Sequence, residues 1–174
     1  MRRLFAPAAA LAAFLLIAAA PVNAAPGVSR DDPVPFAVSA KVGSDWEVQV
    51  LRVDENADAV VHAENRFNAP PAAGRQFVIV VLAVRYVGEE SGIPWTDLDF
   101  AYVTRSGNSY RDYEDDSMCG VIPRELSDVG ELFPGASATA NLCYSLPVDQ
   151  IDGATLLAEE FFGSAPRVFF ELLL

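Results

Sequence analysis

Residues 76–87, Gln-Phe-Val-Ile-Val-Val-Leu-Ala-Val-Arg-Tyr-Val, restrict what this chain can fold into more than any other stretch. The run from Phe77 to Val84 is apolar without interruption and rich in β-branched valine and isoleucine. Two branches on Cβ disfavour a helix and suit the pleated surface of a sheet. The run is also too short for a membrane helix, which takes about 20 apolar residues. Because both faces are apolar, both must be covered. The run is therefore expected to be a central strand packed on two sides, or one whose faces switch at a bulge. Gly88, Glu89, Glu90, Ser91 and Gly92 end it.

The rest of the chain repeats that pattern in shorter pieces. No convincing 3.6-residue apolar period follows residue 36, whereas short Val-, Phe-, Tyr- and Leu-rich runs alternate with turn residues. Residues 36–42 give the first candidate strand. Trp46, Val48 and Val50 share one face of the second, and the alternation breaks at 51–53, where a bulge or strand end is expected. Leu98, Phe100 and Tyr102 alternate with Asp99, Ala101 and Val103; a turn at Ser106-Gly107-Asn108 lets residues 110–113 return as a hairpin partner. Residues 136–146 put Ala138, Ala140, Leu142, Tyr144 and Leu146 on one face, and Cys143 on the other. Residues 155–159 and 167–172 supply the last two strands. Residues 54–75 form a polar connection of unusual length, with a short strand near Val60-Val61 as the one element expected within it. Seven or eight short strands with regular turns predict an all-β fold, an immunoglobulin-like antiparallel sandwich.

The first 24 residues carry a different signal. Arg2 and Arg3 are followed by thirteen apolar residues, 8–20, and then by Val22-Asn23-Ala24. A positive start, an apolar centre and small residues at the end are the order of a cleavable secretory leader. Cleavage is expected after Ala24 or Ala25, and Arg2-Arg3-Leu4-Phe5 partly matches a twin-arginine signal. The expected organisation is a leader at 1–24, an extended and poorly ordered lead-in at 25–35 holding three prolines, and one sandwich domain at 36–174. No second long apolar run follows, so no membrane span is expected in the mature protein.

Export bears on the two cysteines. In an oxidising compartment Cys119 and Cys143 read as a disulfide. A metal site would call for more Cys or His nearby, and the one histidine, His62, lies far away in sequence.

The segment from Trp46 onward resembles a family of secreted actinobacterial immunoglobulin-like proteins of unknown function, a group that includes the mycobacterial immunoprotective extracellular protein. The resemblance is carried by Trp46-x-Val48-x-Val50, by Gly74-Arg75-Gln76-Phe77-Val78 and by the turn Leu132-Phe133-Pro134-Gly135. Asn141-Leu142-Cys143-Tyr144 closing on Leu146-Pro147, and the pair Cys119 and Cys143, complete it. It implies a telokin-like sandwich and an exported location. It implies no catalytic residue.

Charge and residue inventory exclude several functions. All 24 acidic residues follow Ala24 and two of the 12 basic ones precede it, leaving 10 against 24, a net −14. A surface so acidic does not bind nucleic acid or anionic lipid. With one histidine in a loop and no Gly-x-Ser-x-Gly elbow, no serine-hydrolase triad is expected, and paired carboxylates discriminate nothing among so many acids. No cofactor is implied. The protein is read as a non-enzymatic interaction module, secreted or associated with the envelope, whose partner is an extracellular or envelope protein. One alternative is a divalent-cation or small-ligand binder. The acidic run Asp112, Glu114, Asp115 and Asp116 offers oxygen ligands of the kind calcium takes, as does the group Asp54, Glu55, Asn56 and Asp58. Another is an enzyme of unrecognised type. Trp46 is expected in the core, whereas Trp95, after Pro94 in a loop, is the candidate partner-binding aromatic.

Overall fold

The computed structural model describes residues 26–173, so the expected leader lies outside the described residues. Eight strands form two antiparallel four-stranded sheets. The first sheet has the order β1 (Ala40–Val42), β2 (Trp46–Asp54), β3 (Arg75–Tyr86), β6 (Ser137–Pro147). The second has the order β5 (Ser109–Tyr110), β4 (Leu98–Val103), β7 (Thr155–Glu160), β8 (Val168–Glu171). The expected sandwich is the fold observed. Among the described residues no helix is long and apolar enough to cross a membrane.

The long apolar run is β3, paired on both edges with β2 and β6. Its two faces serve two cores. Val78, Val80, Leu82 and Val84 point between the sheets, against Leu98, Phe100 and Tyr102 of β4, Leu156 of β7 and Phe170 of β8. Burying side chains of this size contributes roughly 1.5–3 kcal/mol each before the entropy of ordering is set against it. Trp46 lies in the same core, edge-on to Tyr86 with ring centroids 5.1 Å apart. The register of β2 slips between Val50 and Arg52, at the break in its alternation.

The other face of β3 is covered as well. Phe77, Ile79 and Val81 form a second cluster with Ala57, Val61, Ile122 and the two cysteines. Cys119 and Cys143 are bonded, with Cα atoms 6.0 Å apart. The bridge ties the segment before Leu126 onto the outside of β6. Ser145 N–H donates to Ser117 C=O at 2.7 Å, and Asn141 N–H to Arg124 C=O at 2.8 Å. The free edge of β6 is thereby paired rather than left as a template for another chain.

Three expectations are corrected. Residues around Val60-Val61 are not a strand but α1 (Asp58–Glu64). Seven residues are too few for a helix to persist on propensity alone, and packing supplies the rest. Val61 is buried on β3, Asp58 Oδ1 accepts the Phe77 N–H at 2.8 Å, and Ala57 N–H donates to Phe77 C=O at 2.8 Å. The lead-in is not loose over 26–35. Val34 is buried in the central core and bridges Phe170 in parallel, with Val34 N–H donating to Phe169 C=O at 2.8 Å. Its prolines fix an extended backbone that can lie along β8. The first strand is also shorter than residues 36–42, because Ala37 has φ 60, a left-handed conformation that interrupts a strand.

Candidate functional site

The expected hairpin partner at 110–113 is shorter and earlier, β5 at Ser109–Tyr110, and an apolar recess opens beside it. β5 pairs with β4 only at Tyr102↔Tyr110 and Val103↔Ser109. From Leu98 to Ala101 that edge of β4 has no strand beside it. The chain instead crosses the gap with an acidic turn and the 3-10 turn Leu126–Asp128, whose Leu126 plugs the core. A cavity of about 340 Å³ remains, floored by Phe100, Leu126 and Leu142. That volume is at the small end of the range for ligand sites.

Its rim is aromatic. Trp95 lies on α2 (Pro94–Asp97), the single turn that leads into β4. Phe161 and Phe162 follow β7, ring centroids 4.7 Å apart and edge-on, and Tyr113 completes the ring from the acidic turn. Trp95 is 41% exposed and Phe162 is 92% exposed. Rings of this size left in water beside an open recess mark a surface that can bury them against something else.

The polar part of the wall is acidic. Arg111 Nε lies 2.8 Å from Asp99 Oδ2, and its Nη2 lies 3.2 Å from Glu159 Oε1. Arg167 Nε reaches the other oxygen of Glu159 at 3.1 Å. Asp99 and Glu159 are register partners on β4 and β7, so the sheet itself sets the spacing of this ion network. Asp112 is outside it. Burial pushes its carboxyl up to about 6, and the nearby carboxylates of Glu125 and Asp99 push in the same direction. Burial also raises Glu125.

The residues singled out in the sequence are dispersed by the fold. Trp95 is on the rim, as an exposed aromatic, and Trp46 is in the core. The acidic run is divided. Asp112 faces the cavity, Glu114 Oε2 accepts the Arg111 N–H at 3.3 Å, and Asp115 and Asp116 border a separate groove beside Arg75. The second acidic group is likewise engaged locally: Asp54 pairs with Arg52 at 2.8 Å, and Asp58 pins α1. Among the described residues no three His, Cys, Asp or Glu side chains are grouped to hold a metal ion. His62 is exposed on α1. The long connection 54–75 proves to be cover for β3: Asn68 Nδ2 donates to the carbonyls of Val61 and Val121, and its Oδ1 accepts the Val121 N–H. Arg52, Arg85 and Arg167 pair with acids on the surface.

Sequence reasoning missed Phe161, Phe162 and Asp99. The adjacent phenylalanines carried a usable signal, since they precede Gly163 in the turn between two strands, where burial of both is hard to arrange. Asp99 carried none, because an acid on the outward face of a strand is ordinary.

No family model matches the sequence, and no curated protein matches it. Among solved structures, an uncharacterised β-sandwich protein from Clostridium difficile 630 is similar with a TM-score of 0.50 and 9% identity, over 81% of this chain and 95% of that one. The secreted protein MPT63 of Mycobacterium tuberculosis gives 0.49 at 12% identity, covering 80% and 97%. A conserved hypothetical protein from Bacillus anthracis gives 0.48 at 14%, covering 79% and 95%. At such identities the likeness extends to the β-sandwich fold and no further.

Proposed function

We propose that this protein is an exported, non-enzymatic interaction module that engages an extracellular or envelope protein through the aromatic rim at the open end of β4. The observation that carries this reading is the coincidence of exposed Trp95 and Phe162 with a 340 Å³ apolar cavity. Large aromatics dominate binding energy when a partner desolvates them. The leader and the Cys119–Cys143 bridge support export. The cysteines are consumed in the bridge and His62 sits away from the cavity.

The test is crosslinking of the exported, disulfide-intact protein to culture-fluid and envelope fractions, in parallel with a Trp95→Ala, Phe162→Ala double variant. The expected result is a saturable protein partner that crosslinks next to the rim and is lost with the variant. A partner captured equally by both proteins would overturn the assignment of the surface.

A further inference from the structure

The cavity wall holds a carboxyl group for which the protein supplies no cation. Asp99 is held by Arg111 at 2.8 Å, and Glu159 is shared by Arg111 and Arg167. Among the described residues, no ion pair involves Asp112. The charges nearest in effect, Glu125 and Asp99, have its own sign. The Tyr144 hydroxyl, fully buried and within the field of Asp112, Asp99 and Arg111, also has no protein hydrogen-bond partner. Besides Asp99 and Asp112, the residues lining the space are Thr96 and otherwise aliphatic or aromatic side chains; Tyr144 and Glu159 lie behind this wall.

These walls select an occupant. A wholly apolar group would seal away from water a carboxylate that has backbone N–H groups of Asp112 and Tyr113 but no countercharge, which is unfavourable. An anion would meet the carboxyl groups of Asp112 and Asp99. A cation on an apolar stem suits both parts of the wall, with its stem on Phe100 and Leu142 and its head at the carboxylate. The faces of Trp95 and Tyr113 add attraction for a positive charge. Phe162, 92% exposed, stands at the mouth. A small amine filling the recess would leave that ring in water, whereas a polypeptide delivering one side chain would cover it. A net charge of −14 after the leader favours a basic chain on approach.

We infer that the cavity receives a lysine or arginine side chain from a basic segment of the partner protein, its charge paired with Asp112 and its flanking residues packed on Trp95 and Phe162. This rests on the interaction reading above and specifies its chemistry.

The experiment is an NMR titration of the exported, ¹⁵N-labelled protein with three capped tripeptides, Phe-Lys-Phe, Phe-norleucine-Phe and Phe-Glu-Phe, and with hexylamine. The lysine peptide should shift the amides of Trp95, Asp112, Tyr113 and Phe162, and bind at least five-fold more tightly than the norleucine peptide. The glutamate peptide should not shift them. In Asp112→Asn, whose spectrum also reports its fold, the lysine peptide should fall to the norleucine level. Norleucine binding as well as lysine, an unchanged ratio in Asp112→Asn, or no shift with any peptide would overturn the inference. Hexylamine binding as tightly as the lysine peptide would overturn the choice of a polypeptide occupant. Failure here is distinguishable from failure of the interaction reading: if the charge proves irrelevant but the rim variant still loses its protein partner, only the cation falls.

Discussion

Of the apolar groups outside the main core, two are treated by the chain in opposite ways. On the outer face of β3, Phe77, Ile79 and Val81 are covered by α1 and by the strap carrying Cys119. At the open end of β4, Trp95, Phe161 and Phe162 stand round a cavity that none of the described segments crosses. The first patch receives a helix, a disulfide and the three hydrogen bonds of Asn68. The second receives a carboxyl group in its wall. Apolar surface that the fold covers with its own chain contributes to stability. Apolar surface left in water contributes little to folding and is available to a partner.

The covered patch should show the largest effect. Replacing both cysteines with alanine removes a bridge across 24 positions of sequence. The expected loss is about 3 kcal/mol in a urea melt, by the chain-entropy account of loop closure. Hydrogen exchange should then accelerate in α1 and at residues 117–126, while the amides of β4 and β7 keep their protection. Equal loss in both places would break the comparison, because it would make the two regions one cooperative unit.

Asp112 should have a smaller effect of opposite sign. Its carboxyl is raised to about 6 in the folded protein, against about 3.9 for an aspartate in an unfolded chain. Between those values the folded state binds the extra proton. The stability from this group is therefore full below about pH 4 and is lost as pH rises through about 6. Asp112→Asn should remove that loss, stabilising the protein by about 1–2 kcal/mol at pH 7 and by nearly nothing at pH 4. Urea melts of both proteins at the two pH values measure it. An Asn variant less stable at pH 7 would mean that the carboxylate is satisfied in the free protein, contrary to its role as an unpaired group awaiting a cation.

The contrast between the patches also explains what the sequence makes legible. The doubly apolar β3, the alternation of β6 and the position of Cys143 away from the central core are local patterns of period two, and they survive folding. The bulge at Val50–Arg52 is equally local, since two outward residues in succession break the alternation. α1 escapes because its seven residues include two valines, and its stability comes from Phe77, well beyond its end at Glu64. The docking of Val34 escapes for the same reason, since its partner Phe170 is at the other end of the chain. The site is less legible than the fold. Trp95 could be flagged from Pro94 beside it, but the cavity exists because β5 stops after two residues and leaves the edge of Leu98–Ala101 uncovered. That is a property of pairing, with no signature in residue type. The acidic run shows the converse: four acids close in sequence are turned to different sides by one tight turn.

The smallest expected effect on stability concerns Phe162. Truncating a phenylalanine packed inside a protein costs about 3–5 kcal/mol, from lost transfer energy and the cavity left behind. Phe162 is 92% exposed and its main aromatic contact is Phe161. Phe162→Ala should therefore change the unfolding free energy from a urea melt by less than about 0.5 kcal/mol, the range of ordinary surface substitutions. The same variant should weaken the Phe-Lys-Phe peptide at least three-fold in the NMR titration, because the ring gains its contacts only when something covers the mouth. A large loss of stability with unchanged peptide binding would reverse the assignment, placing Phe162 with the side chains the fold needs and leaving the recess without its rim. The two readings move in opposite directions on one substitution, which makes Phe162 the sharpest single point at which the closed patch and the open one can be told apart.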